Sequence, residues 1–234
     1  RLITAEKHLL ENTLNKSLEV LVDILAIVNP TAFSRSTRVK KLAREIADNL
    51  KIKNSWKIEI AAMLSQIGCI AVPEEILQKI ANGTSLTDKE AILYHQYPQI
   101  GADLILRIPR MDSVAEIIAS QNRRINDEIL PDSNGNDFNE ETMGARILKV
   151  VLDYDKLLNS GNAPRHALKE LSERIGWYDP LVLDVLKKII EETADDYISL
   201  ELNVSDLKPG MILDAPIFTT RGSMLLAAGQ EITM

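Results

Sequence analysis

The chain has 234 residues, 45% of them hydrophobic and 26% charged, with three histidines, one cysteine and a net charge of −7. A single thiol excludes a disulfide framework and a cysteine-based zinc site, and three imidazoles leave little for a histidine-rich metal centre. The acidic balance argues against nucleic acid as a partner, no apolar run reaches the roughly 18 residues of a membrane span, and no signal-peptide layout opens the chain. With Cys69 set among apolar residues, a cytoplasmic location is expected. The start at Arg1 rather than Met suggests a piece of a longer protein.

Helical periodicity dominates as far as about residue 195. Leu14, Leu18, Leu21, Leu25 and Val28 recur in steps of four and three, one stripe of a helix and also a short seam through which two copies could pair. Pro30 ends that helix near Asn29. A second helix is predicted behind Ser36 or Thr37 as cap, with Val39, Leu42, Ala43, Ile46 and Leu50 on its apolar side. It lies in a basic cluster formed by Arg35, Arg38, Lys40, Lys41, Arg44, Lys51, Lys53 and Lys57, which is either a solvated face or a site for an anion. A third helix runs from Ser55 through the apolar stretch Ile58 to Ile67, and Pro73 opens a short one. Thr87 and Glu90 have capping-box spacing for a helix through His95, which Pro98 interrupts before a turn carrying Ile100, Ala102, Leu104 and Ile105. Met111 to Gln121 is amphipathic, and the polar stretch 123–139 is a long loop. Helices are expected again at 140–159, 164–175 and 180–194, the last capped by Asp179.

After Asp196 the period changes from 3.6 to 2. Tyr197 to Leu202, Ile212 to Thr219 and Met224 to Leu226 read as strands, with a turn at Arg221-Gly222. The predicted organisation is a linker or signalling helix over 1–30, a helical domain over 31–195 and a small, truncated β module over 196–234. The fold class is mainly α, a helical bundle with a small C-terminal β subdomain. No Gly-rich phosphate loop, nucleophile elbow or internal repeat appears.

The stretch AAMLSQIGCIAVP from Ala61 to Pro73, followed by EEILQK, LTDKE and His95 with Gly101, resembles the core of an HD-GYP domain. That family belongs to the HD superfamily of metal-dependent phosphohydrolases, and its characterised activity is hydrolysis of cyclic di-GMP. The resemblance extends from about Thr31 to Ile190. The segment before it is similar to the linker that joins a receiver domain to its output domain in two-component response regulators. The segment after it resembles a small β module found beside such domains. By resemblance, then, the chain is an output domain with a receiver domain upstream.

The resemblance also implies which residues would hold metal, and they are altered. The family's HSxRV histidine falls on Arg35, its paired His-Asp on Ser65 and Gln66, the lysine of its GKI on Cys69, and its HHE triplet on Ser120, Gln121 and Asn122. The aspartate of its VAD falls on Leu152, NDEILP has no GYP counterpart, and only His95 remains. Serine and glutamine are weak neutral ligands, one imidazole cannot hold a binuclear centre, and Arg35 places a permanent cation at a ligand position. Loss of metal-dependent hydrolysis is expected, with no cofactor. His95 is then a hydrogen-bonded core residue or sits at the mouth of the former pocket, while His8 and His166 fall on no ligand position.

Three readings follow. In the first, the chain is a non-catalytic signalling module that receives phosphorylation state through the Leu14 to Val28 helix and presents a surface to a partner protein. In the second, it senses a cyclic di-GMP-like nucleotide in the former pocket through Arg35, Gln66, His95, Gln121, Arg123 and Arg124. In the third, an acidic cluster from Asp153, Asp155, Asp127 and Glu128 supports a metal-dependent phosphodiesterase. A homodimer through the N-terminal helix is compatible with each.

Overall fold

The computed structural model describes residues 36–81, 83–127 and 139–195, with residues 16, 18, 20 and 22 before them and 203, 206–209, 211, 213, 217–218 and 224–226 after. The described part is mainly helical. By contact density the chain divides into two compact units, Arg1–Arg123 with Glu128–Lys149, and Arg124–Asp127 with Val150–Met234.

In the first unit, α1 (Ser36–Asn49) packs along α2 (Ser55–Leu64), and α2 along α6 (Asp112–Ser120). Helix α1 is strongly amphipathic: Val39, Ala43, Ile46 and Ala47 are buried while Leu42 and Leu50 sit at the margin. Its end is a Schellman-type cap in which Ile52 N donates to Ala47 O and Lys51 N to Asp48 O, with Lys51 at φ 57°. Helix α2 is apolar through its second half, where every residue from Ile60 to Leu64 is buried, and its polar side chains Lys57 and Glu59 lie in the first half.

Helix α2 stops at Leu64, earlier than the apolar run to Ile67 suggests. Ser65 N bonds to Ala62 O and Cys69 N to Gln66 O, tightening the chain into a 3-10 helix over Ile67–Ala71. The reason lies at Gly68, where an added Cβ would stand 1.8 Å from Tyr97 O. Backbone meets backbone there, and only glycine permits it. α3 (Glu74–Ala81) follows with Pro73 just ahead of it. α4 (Asp88–His95) begins at the expected capping box, Glu90 N to Thr87 Oγ1 and Thr87 N to Glu90 Oε2. α5 (Tyr97–Ile105) carries Pro98 in its first turn, where its missing N–H costs nothing, and packs on α6 and the 3-10 helix.

Helix α7 (Glu140–Asn159) contributes its first half to this unit, burying Ile147 and Leu148. At Gly144 an added Cβ would meet Ile117 Cδ1 at 2.8 Å. The second unit contains the remainder of α7, a 3-10 turn over Ile125–Asp127, α8 (Pro164–Glu173) and α9 (Pro180–Asp195). Asp179 caps α9 through Oδ1, which accepts from Leu181 N at 2.8 Å.

Toward the C-terminus β1 (Ile217–Phe218) pairs antiparallel with β2 (Met224–Leu226). Most of the expected strand segment lies outside the described residues, Tyr197 to Leu200 included. Near the N-terminus Leu18 and Val22 are helical and buried, whereas Leu14, Leu21, Leu25 and Val28 lie outside the described residues.

Candidate functional site

The break between α2 and the 3-10 helix brings Ser65 and Gln66 to one place, and the end of α6 brings Gln121 to the same place. Gln121 is fully buried, and its Nε2 donates to the Ser65 carbonyl at 3.0 Å. Its Oε1 is buried without a partner among the described residues. Ser65 is 2% exposed, while Gln66 is half-buried and accepts a long hydrogen bond from the Cys69 thiol at 3.5 Å.

Tyr97 completes the cluster from the first residue of α5. Burial drives its hydroxyl well above the ordinary tyrosine range, helped by Tyr94 and Cys69 and opposed by hydrogen bonds with Gln66 and Asn122. Burial likewise pushes the Cys69 thiol up to about 12. A neutral phenol, a neutral thiol, three amides and a main-chain carbonyl make a polar cluster without formal charge. Sequence reasoning missed Tyr97; the signal was an aromatic residue in the otherwise polar run His95 to Gln99, just ahead of Pro98.

The other expected positions fall elsewhere. His95 ends α4 and is exposed, with its ring 6.1 Å from that of Tyr94, so it is not a core residue. No side chain of α4 is fully buried. Ser120 is half-buried at the end of α6. Leu152 is half-buried on the part of α7 that belongs to the second unit, and Arg35 lies outside the described residues. Arg123 is exposed, whereas the Arg124 guanidinium sits 3.7 Å over the Trp177 ring.

Three members of the basic cluster are engaged with the chain's own carboxylates. Lys40 and Arg44 reach Glu59 at 3.3 and 2.9 Å, and Lys57 reaches Glu141 at 3.4 Å and Ser113 at 3.0 Å. The proposed acidic cluster is also engaged: Asp153 accepts from the Tyr178 hydroxyl, Asp155 from Asn159 Nδ2, and Asp127 from Arg124 N. Glu128 lies outside the described residues.

An HD phosphohydrolase centre calls for several imidazole and carboxylate ligands. The residues gathered here do not fit one. Ser65, Gln66 and Gln121 offer neutral oxygens, and the Gln121 amide is turned donor-first toward a carbonyl. Among the described residues, no group of three or more His, Cys, Asp or Glu side chains converges as metal ligands would. Nor is any helix among them long and apolar enough to cross a membrane.

Comparison with known families matches residues 19–182 to the HD domain. The chain therefore belongs to the HD domain family. A matching solved structure is Bd1817, an HDG"Y"P protein from Bdellovibrio bacteriovorus, at TM-score 0.52 and 18% identity over 69% of this chain. The chain spans 52% of that protein's length. The likeness is one of fold, and it agrees with the HD-GYP-like reading of the Ala61 to Gly101 segment. A search of curated proteins found no match.

Proposed function

We propose that this HD domain is a non-catalytic signal-transduction module, the output part of a bacterial response regulator, working through protein contacts rather than hydrolysis. The observation that carries the reading is the Gln121 to Ser65 hydrogen bond. Two positions where the resemblance expects metal ligands are tied to each other by a neutral amide-carbonyl bond. A buried amide in that role stabilises the junction of α2 and α6 without a metal.

The same reading places an upstream receiver domain before the helix that contains Leu18 and Val22, and a protein partner on the domain surface. The test is metal content and turnover of the purified chain. Iron, manganese and zinc far below one per chain, with no hydrolysis of cyclic di-GMP, are the expected results. Stoichiometric metal with turnover overturns the reading.

A second reading, a nucleotide sensor in the former pocket, is favoured by one observation. Gln121 Oε1 is buried and lacks a donor among the described residues, and the neighbouring Gln66 is only half-buried. Calorimetry with cyclic di-GMP decides between them: saturable heat lost in Gln66→Ala supports the sensor, and no heat removes it.

A further inference from the structure

The second unit contains a turn whose side chains pack against the chain except for one, Ile175, which stands exposed. Residues 174–178 join α8 to α9, and their backbone is pinned from two sides. Trp177 N donates to Arg174 O, while Ile125 N and Asn126 N donate to Trp177 O and Gly176 O at 3.3 and 3.1 Å. Gly176 has φ +78°, and an added Cβ there would meet Asn126 Nδ2 at 1.8 Å.

On this rigid turn Ile175 is 91% exposed, more than any other large hydrophobic residue described, and Leu181 in the next helical turn is 53% exposed. Trp177 between them is half-buried, with Arg124 over its ring at 3.7 Å and Arg174 at 5.4 Å. Single exposed aliphatic residues are common. This one is different because it is β-branched, rigidly held, and set beside tryptophan and arginine, the residue types that anchor protein interfaces at low entropic cost.

Charge indicates what it would meet. The carboxylates of this network have donors already: Glu170 pairs with Arg174, Asp153 accepts from Tyr178, and Asp127 accepts from Arg124 N. The Arg124 guanidinium has no carboxylate partner among the described residues, and a guanidinium seated over a ring face keeps its N–H donors for an acceptor.

We propose that the turn bearing Ile175, with Trp177 and Arg124, is a docking surface for a protein segment that presents an apolar side chain beside a carboxylate. The inference rests on the non-catalytic reading only in needing a protein partner. Nucleic acid is disfavoured by the chain's net charge of −7.

A display library of short peptides, varied in apolar and acidic content, tests it on the whole chain. Peptides carrying Asp or Glu beside Leu, Ile or Phe should be enriched. Their affinity should fall about tenfold in Ile175→Asp and in Arg124→Glu, and stay unchanged in Ile92→Asp, a control at another exposed apolar position. Circular dichroism checks that each variant folds, and the exposure of Ile175 makes its variant the safer of the two.

Absence of acidic-apolar enrichment overturns the proposal, as does undiminished binding to both variants. Ile175-dependent self-association in sedimentation would assign the surface to a second copy, and stronger binding to oligonucleotides than to peptides would assign it to nucleic acid; either also overturns it. Metal and turnover bear on the catalytic state alone. An active, metal-loaded protein would sink the non-catalytic reading and leave the peptide result standing.

Discussion

Gln121 Nε2 lies 3.0 Å from the main-chain carbonyl of Ser65, and the same amide holds its oxygen buried with no donor among the described residues. One side chain thus both ties two helix ends together and carries an unmet acceptor. Its substitutions should separate the two effects. Gln121→Met removes the bond and the unmet amide oxygen but leaves the Ser65 carbonyl without this donor, so a net loss of about 1 to 2 kcal/mol is expected. Gln121→Glu is different, because a buried carboxylate facing a carbonyl must keep its proton to donate. Its folded pKa is then raised above about 4.3, so the variant is fully stable only below that value and weakens as pH rises toward neutrality. Urea unfolding from about pH 5 to about pH 8 checks this; a pH-independent loss would contradict it.

Gly68 and Gly83 provide a matched pair. Gly68→Ala drives a Cβ to within 1.8 Å of Tyr97 O, backbone that cannot step aside, and should cost about 3 kcal/mol or more. Gly83 has φ +67° and open space around it, so Gly83→Ala should cost only about 1 kcal/mol from backbone strain. Denaturant midpoints of the two variants should rank in that order.

The cap of α1 has room for improvement. Lys51 occupies a left-handed position at φ 57°, where glycine is unstrained. Lys51→Gly should raise stability by about 0.5 to 1 kcal/mol, readable as a higher melting temperature. A fall would mean that the lysine side chain stabilises the helix end in another way.

Cys69 should be chemically silent in the folded protein. It is 2% exposed, and with its thiol pushed up to about 12 almost no thiolate exists near pH 8. Ellman's reagent should therefore titrate no thiol until denaturant is added, when one per chain should react. Rapid labelling of native protein would show that the 3-10 helix opens readily.

Glu90 makes the start of α4 acid-sensitive. The Lys79 ammonium at 2.6 Å, together with the Thr87 amide and hydroxyl, holds its carboxyl down at about 2. Its folded value is depressed below the unfolded 4.5, so its contribution is complete above 4.5 and disappears as pH falls toward 2. Carboxyl NMR should place the Glu90 midpoint well below those of exposed glutamates, and Lys79→Met should move it upward.

Much of the helical body was legible in the sequence, because local chemistry sets it. Thr87 with Glu90, Asp179 before Pro180, and the apolar spacing of Val39, Ala43 and Ile46 depend on groups within a few residues of each other. The HD relationship was legible for the same reason: Gly68, Gly101 and the apolar stretch before them lie in a short, ordered segment. The end of α2 was not, since what stops it at Leu64 is the approach of Tyr97 to Gly68, a contact between segments far apart in the chain.

The candidate site divides along the same line. The sequence by itself determined which residues stand where metal ligands are expected, Ser65, Gln66 and Gln121 among them, because identity at a position needs no coordinates. Only the tertiary structure decided what those residues do. It turned the Gln121 amide onto the Ser65 carbonyl, brought the buried Tyr97 hydroxyl to Gln66, left His95 exposed on a helix with no fully buried side chain, and laid Arg124 over Trp177. The physical reason is that hydrogen bonds, burial and ring contacts are set by which distant backbones meet, and helical periodicity carries no record of that.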